Sequence, residues 1–505
     1  MIFWRSILII WIVILSADIY ADNIKHKVTH TKSKFKKLIN TKSSNHQKII
    51  YGKQNLVLEL NSILKNNKSN FNVGINIRSM KHGDTIYTKN NNKLFIPASI
   101  IKILTAEAAL LYLGSDFKFL TTLLTNTQET KNGVVDGDVF LVQTGDPSLT
   151  YSDLTDLMVT LKEQQINIIN GNIFIDNTAY DENIFGPGWF LEDKQSCYGA
   201  PISASIINHN CLSVKISPSK KIGRLANIIK SPHYYYKSIQ NSIITKKNNT
   251  KSCYIKFDNY ENGSISLGGC MRKNHDPAGV SAVISNILQY NKSMLKSLFK
   301  RYGIRIKGFI GSGKAPENLS IIAVHHSEPL HTLVNKMLKK SDNIIAGSLL
   351  KKMGEIYTKS PGGWINGGDA IKNILTKKAF VNSKGLVIVD GSGLSRENKI
   401  KPSQMMQVLD FAYHNYGTNY EFISSLPIAG RDGTLKNRLH IVATKVRAKT
   451  GTMSGVVSLA GYAYSKDKEP FAFVIMINGQ NGMSWKYREI EDKIVIALTK
   501  YSRGL

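Results

Sequence analysis

Residues 97–102 read Pro97-Ala98-Ser99-Ile100-Ile101-Lys102, and Ile101, Leu104, Ala108 and Leu111 continue the stretch as a buried stripe. This pattern predicts a helix over 98–113 that opens beside Ser99. A serine and a lysine three residues apart share one helical face, so hydroxyl and amine can meet. The spacing alone says little, because Ser33/Lys36, Ser217/Lys220, Ser293/Lys296 and Ser297/Lys300 repeat it. Ser99 differs in its surroundings: a proline ahead, apolar residues within the pair and a helix patterned for burial behind. Upstream, the pattern predicts a helix over 55–65. Two strands follow over 73–79 and 85–88, turned by Lys81-His82-Gly83-Asp84.

Two further motifs share its chemistry. Ser341-Asp342-Asn343 falls between a helix over 330–340 and helical patterning that resumes beyond 343. Lys449-Thr450-Gly451-Thr452 ends a strand over 446–450 that turns directly into others over 456–464 and 471–478, ahead of a helix over 484–501. Each motif alone is a common accident. In the order S-x-x-K, S-D-N, K-T-G, each on its expected element, they are the signature of the penicillin-interacting serine transferases and hydrolases.

The residue types suit that chemistry. A serine hydroxyl is a weak nucleophile and needs a base. Lysine serves as one only when neutral, which takes desolvation or a nearby positive charge. In this fold class Lys449 lies across the site and is expected to repel the charge of Lys102. With the Thr450 and Thr452 hydroxyls it would clamp a terminal carboxylate. Gly451 is expected to let the strand backbone approach the substrate. The oxyanion hole is expected from the backbone N–H groups of Ser99 and Thr452. Ser341 is placed to relay a proton to the leaving amine, and Asn343 to hold a substrate amide.

The chain around these motifs has 505 residues, 42% hydrophobic and 20% charged, which excludes a disordered protein. After the first twenty residues no apolar run approaches the length of a bilayer span, which excludes a multi-span membrane protein. The net charge of +30 favours an acidic partner. Much of it is spread over unpatterned loops, however. No zinc-finger spacing, recognition helix or basic zipper accompanies it, so nucleic acid is not an expected partner.

Residues 1–21 read as an export signal to the periplasm: Arg5, an apolar stretch over 7–15, then the small residues Ser16, Ala17 and Ala21. Residues 22–54 hold nine lysines against the single acid Asp22. They read as a flexible solvated arm, with an anionic membrane or wall surface as its candidate contact. From 116 to 315 short β-like runs (139–143, 171–176, 213–216, 252–257) alternate with turns, which suggests an inserted, mostly β region. All four cysteines lie there. An even count in an exported chain suggests two disulfides, for which three connectivities exist. Pairing Cys197–Cys211 and Cys253–Cys270 closes the shortest loops. No C-x-x-C or paired histidine accompanies them, so no metal is expected.

The chain resembles the class C low-molecular-mass penicillin-binding proteins, the D-alanyl-D-alanine carboxypeptidase/endopeptidases. Matching stretches are residues 99–102, Gly145-Asp146-Pro147-Ser148-Leu149, Gly186-Pro187-Gly188-Trp189, CYGAPISASIINHNC at 197–211 and KKSDNII at 339–345. DGSGLSREN at 390–398, LPIAGRDGTL at 426–435 and AKTGT at 448–452 complete them. The resemblance implies a mixed α/β fold with a serine β-lactamase/DD-transpeptidase-like domain, an antiparallel sheet flanked by helices. That domain would comprise 55–115 plus 316–505, with two smaller, largely β domains inserted over 116–315.

It also implies that Asp193 binds the side-chain ammonium of diaminopimelate, in a pocket that Tyr198 and Leu394 line. The implied activity is acyl transfer with Ser99 as nucleophile, without a cofactor. The substrates are peptidoglycan stem peptides, and β-lactams acylate the same serine. Stem carboxylates suit the basic chain. Two alternatives differ from this. A β-lactamase shares the three motifs, but between Asn343 and Asp390 there is no E-x-x-L-N segment of the class A type. An inactive wall-binding relic would not need Ser99, Lys102, Ser341, Asn343 and Lys449 intact.

Overall fold

Both ends of the chain contribute to one antiparallel sheet. The computed structural model describes residues 51–66, 70–127, 130, 132–229, 238–259 and 264–504. The export signal over 1–21 and the arm through residue 50 lie outside the described residues. The last two residues of the expected arm belong instead to a helix, Lys53–Lys65. The sheet runs in the order Val446–Met453, Val456–Tyr464, Pro470–Gly479, Phe71–Ser79, Thr85–Lys89. Phe71 pairs with Gly479 and Ser79 with Phe471, so strands from opposite ends of the chain form its centre. Pro470–Gly479 is buried on both faces and carries an unbroken apolar run, as a strand covered on both sides requires.

Side chains alternate between the two faces. Ala460, Tyr462, Ala472, Val474 and Met476 share a core with the helical lobe that holds Ser99. On the opposite face Phe471 meets Tyr501 at 5.4 Å between ring centres, and Phe71 meets Tyr487 on the C-terminal helix Ser484–Lys500 at 5.5 Å.

The lobe is centred on helix Lys102–Leu113, whose residues from Lys102 to Leu110 are all buried. Leu330–Lys340, Asn343–Thr358, Trp364–Lys378 and Pro402–His414 supply residues to the core around it. The helix predicted from residue 98 begins as a 3-10 turn, Ala98–Ile101, and turns α only at Lys102.

While Trp189, Ala200, Ile202, Ile206 and Val283 join the core of the lobe, most of the region from Leu123 to Ala323 builds a second core. Its five-stranded mixed sheet runs in the order Ile310–Ser312, Ile173–Asp176, Val139–Gln143, Leu120–Thr125, Ser320–His326. The last strand lies beyond the expected end of the insertion at 315, yet it pairs with Leu120–Thr125. A three-stranded sheet centres on Cys211–Ser217 and a four-stranded one on Ser264–Arg272. The strand expected over 252–257 forms at Ile255–Asn259.

Two long helices, Tyr151–Glu163 and Ile287–Arg301, and a short one, Leu191–Lys194, stand where mostly β structure was expected. Tyr151–Glu163 starts on a capping box between Thr150 and Asp153 and buries Leu154, Leu157, Met158 and Leu161 at helical spacing. The cysteines pair sequentially, Cys197 with Cys211 and Cys253 with Cys270. Among the described residues no helix is long and apolar enough to cross a membrane.

Candidate active site

Ser99 sits on a backbone held in an unusual conformation. Ala98 before it has φ of 48°, in the left-handed region that costs a non-glycine residue about 1 kcal/mol or more. Two glycines clasp this turn. A Cβ on Gly393 would lie 2.0 Å from the carbonyl oxygen of Ala98, and one on Gly451 would lie 2.9 Å from the nitrogen of Ser99. A Cβ on Gly451 would also lie 2.2 Å from Ser458 Oγ, so both the neighbouring strand and the nucleophile turn leave no room for a side chain there, a constraint additional to the expected approach to the substrate. Ser458, on the neighbouring strand, donates its hydroxyl to the Pro97 carbonyl at 2.5 Å and ties the same turn down.

Helix geometry brings Lys102 back under Ser99. Its Nζ donates to Ser99 Oγ at 3.1 Å, to Asn343 Oδ1 at 2.6 Å and to the Ser392 carbonyl at 2.5 Å. The side chain is fully buried. Burial lowers its pKa to about 7, against the opposing pull of Asp390 and Asp342. Desolvation is thus the main cause, where repulsion by Lys449 had been expected. That repulsion appears on the other partner: burial first, then the charge of Lys102, hold Lys449 well below its ordinary value.

Lys449 Nζ donates to Ser341 Oγ at 2.9 Å and to the Thr450 carbonyl at 2.7 Å. Ser341 has φ of 59° and closes helix Leu330–Lys340. The next residue, Asp342, caps helix Asn343–Thr358 by accepting from the Ile344 and Ile345 amides. One residue thus ends one helix, the next starts another, and Ser341 and Asn343 reach the site from either side of the junction. Thr450 Oγ1 bonds Thr434 Oγ1 at 2.7 Å, while Thr452 is exposed. The structure therefore brings Ser99, Lys102, Ser341, Asn343, Lys449, Thr450 and Gly451 together as the three motifs led one to expect.

Of the three residues that the resemblance ties to diaminopimelate, Asp193 and Tyr198 stand on a more open segment, while Leu394 belongs to the loop that follows Asp390. Asp193 is half-buried at the end of the short helix Leu191–Lys194 and accepts from Tyr198 Oη at 2.9 Å. Tyr198 is 51% exposed, and its carbonyl accepts from Asn343 Nδ2 at 2.8 Å. The Cys197–Cys211 disulfide anchors the chain next to it. Leu394 packs against the lobe core as a partly buried residue. Asp193 and Tyr198 thus connect to Asn343.

Asp390 is the residue that sequence reasoning left without a role. Fully buried, its Oδ1 accepts from the amides of Ser392 and Gly393 and from Asn398 Nδ2; its Oδ2 accepts from the Ser395 amide and Trp189 Nε1 at 2.6 Å. This carboxylate shapes the loop that presents the Ser392 carbonyl to Lys102, and its charge also opposes the neutralisation of Lys102. The signal available in the sequence was the matched stretch DGSGLSREN, which identified the loop but gave no contact.

Comparison with known proteins places the chain among relatives of known family and fold. The D-Ala-D-Ala carboxypeptidase 3 (S13) family matches residues 56–501. The D-alanyl-D-alanine carboxypeptidase DacB of Haemophilus influenzae is 33% identical over 390 residues, covering 76% of this chain and 80% of that protein. The D-alanyl-D-alanine carboxypeptidase of an Actinomadura species is 28% identical over 423 residues, 81% of this chain and 77% of that one. The crystal structure of penicillin binding protein 4 from H. influenzae superimposes with a TM-score of 0.78 at 30% identity, covering 88% of this chain and 99% of that one. The same protein complexed with a β-lactam gives 0.74 at 29% identity, with 88% and 100% covered.

Proposed function

Because this chain belongs to the D-Ala-D-Ala carboxypeptidase 3 (S13) family, we propose that it is a serine-type D-alanyl-D-alanine carboxypeptidase and endopeptidase. It acts on peptidoglycan stem peptides through an acyl-enzyme on Ser99. The observation that carries this reading is the buried Lys102 amine, with a pKa of about 7, 3.1 Å from Ser99 Oγ. A base near neutrality within hydrogen-bond reach is what a serine nucleophile needs.

In acylation the neutral amine of Lys102 takes the Ser99 proton while Oγ attacks the D-alanine carbonyl. The amides of Ser99 and Thr452 hold the oxyanion. Ser341 hands its proton to the leaving nitrogen, takes one from the Lys449 ammonium to which it is hydrogen-bonded, and the C–N bond breaks. Water then attacks the ester and gives its proton to Lys449, while Lys102 returns to Ser99 Oγ the proton it took. When the leaving group is terminal D-alanine the reaction is a carboxypeptidase step. When it is the diaminopimelate of a neighbouring stem, a cross-link is cut.

Lys449, Thr450 and Thr452 clamp the terminal carboxylate, whose arrival restores the charge on Lys449. Asn343, fixed by Lys102 and the Tyr198 carbonyl, holds a substrate amide. Asp193 receives the diaminopimelate ammonium, with Tyr198 and Leu394 lining that pocket. Segments 55–115 and 316–505 carry the chemistry and 116–315 forms two smaller domains, the first extended by Ser320–His326.

The location is the periplasm, on the export signal read in residues 1–21, with the basic arm against membrane or wall. The role is cell-wall remodelling. A β-lactam acylates Ser99 as the substrate does, and the β-lactam complex of the H. influenzae protein supports this. A family match that includes the inserted region speaks against a β-lactamase, and the Ser99–Lys102 contact speaks against an inactive relic.

Intact-mass spectrometry with benzylpenicillin tests the proposal. The expected result is a persistent one-drug adduct that Ser99→Ala abolishes, with cleavage of a stem peptide lost in parallel. Drug destruction without an adduct would point to a β-lactamase. Neither adduct nor drug loss would point to the relic.

A further inference from the structure

Helix Ile287–Arg301 of the inserted region buries Ile287, Tyr290, Met294, Leu295, Leu298 and Phe299. Its opposite edge carries Lys292, Lys296 and Lys300 at successive four-residue steps. All three lysines line one groove of about 540 Å³ with Ser293 and the edge formed by Ile306 and Phe309, and no acidic residue lines it. Phe309 is 60% exposed. Its ring meets Phe174 edge-on at 5.8 Å, and Phe174 stacks on Phe140 at 5.3 Å. An aromatic column thus ends in a ring presented to solvent beside a row of cations.

Neither feature helps the fold. Like charges four residues apart on a helix repel, and an exposed aromatic face forfeits burial. No ion pair of the described residues relieves the three lysines. A ligand that brings carboxylates to the amines and an apolar face to the ring removes both costs. A planar bilayer does not enter a concave groove, whereas an extended polymer does.

We propose that this groove is a second binding site for peptidoglycan, taking a carboxylate-bearing stretch of the polymer whose stem enters the Ser99 site. The inference rests on the function proposed above. It gives the enzyme two points of attachment to one insoluble substrate, so that a stem is presented at raised effective concentration. Phe309 packs against a sugar or peptide face, and the lysines pair with carboxylates along the strand.

The test compares the full chain with a Lys292→Gln, Lys296→Gln, Lys300→Gln variant and with the matching Lys→Arg variant. The readouts are co-sedimentation with purified peptidoglycan sacculi, cleavage of a soluble stem peptide, and acylation by benzylpenicillin. The glutamine variant is expected to bind sacculi about tenfold more weakly, as loss of three exposed pairs implies, and to show a shallower salt dependence than the parent. Soluble cleavage and acylation stay unchanged, and the arginine variant binds as the parent does. Phe309→Ser is expected to weaken sacculus binding without touching salt dependence. Unaltered sacculus binding in the glutamine variant overturns the proposal, as does an equal loss on the soluble peptide. A loss confined to vesicles of anionic lipid also overturns it and assigns the groove to a membrane. Failure of acylation in the parent protein would refute the proposed function instead, and the sacculus measurement would still decide the groove.

Discussion

Two walls border Ser99, and they are built on opposite terms. The loop around Asp390 is buried and saturated: five donors converge on one carboxylate, and Gly393 presses against the Ala98 carbonyl. The segment around Asp193 and Tyr198 stands half in solvent and is tied by single hydrogen bonds and a disulfide. Trp189 joins the two, since its indole bonds Asp390 and the open segment begins at the next residue. The contrast separates two tasks. A base of unusual pKa needs a dry wall that cannot rearrange, whereas a pocket for a charged side chain can remain wet until its ligand arrives.

The sharpest break of this contrast is Lys102→Met, which keeps the volume and removes the amine. Acylation by benzylpenicillin is expected to fall about a thousandfold, within the usual range for loss of a general base, while the thermal transition persists. A fall below tenfold would move the base elsewhere.

Asp390→Asn comes next. An amide in place of the carboxylate faces donors with a donor of its own, at a cost of about 3 kcal/mol, read as a lower Tm. It also removes a charge that favours protonated Lys102, so the acid limb of the acylation profile moves to lower pH. A limb that stays in place would mean that Asp390 acts through shape alone.

In the parent protein that limb is expected near pH 7, because the neutral amine accumulates above its pKa of about 7. The stability consequence has a definite sign. Between about pH 7 and the ordinary lysine value near 10.4 the unfolded chain binds the extra proton, so Lys102 makes stability rise with pH there. Below that window both states are protonated and the burial penalty is present in full. Lys102→Met should flatten the rise.

The smallest effect belongs to the open wall. Asp193→Asn is expected to raise KM about tenfold for stem peptides with a free diaminopimelate ammonium, and to leave benzylpenicillin acylation unchanged. A loss of acylation would show that this wall supports the chemistry too.

The two walls also differ in how far the sequence discloses them. Lys449 lies inside strand Val446–Met453, longer than the expected 446–450, and is legible from its motif, whereas Ser99, Lys102, Ser341 and Asn343 are legible because their motifs fall at boundaries between elements, which hydrophobic period marks well. The late strands read correctly for the same reason, as Val456–Tyr464 shows. Asp390 is not legible as a hub, since its partners include an indole 201 residues earlier and nothing local marks their meeting. Gly451 reads as a glycine for substrate approach, but its crowding by Ser458 on the next strand and by Pro97 and Ser99 from the other end of the chain leaves no mark in the local sequence. Helix Tyr151–Glu163 was legible: Thr150, Asp153 and the 154/157/158/161 apolar spacing carry its start and its face. The surrounding density of turns and short β runs masked it.

The pairing of Phe71–Ser79 with Pro470–Gly479 has a consequence for how the enzyme comes into being. A nascent chain that has emerged as far as the nucleophile has only the first hairpin of the sheet, with a central edge unmatched. Nearly four hundred further residues must follow before its neighbour exists, and closing so long a loop is entropically costly and slow. Lys449 and Gly451 arrive on that same late segment, so Ser99 has neither its clasp nor its partner lysine until synthesis is almost complete. The topology thus acts as a timer, keeping an unfinished hydrolase silent.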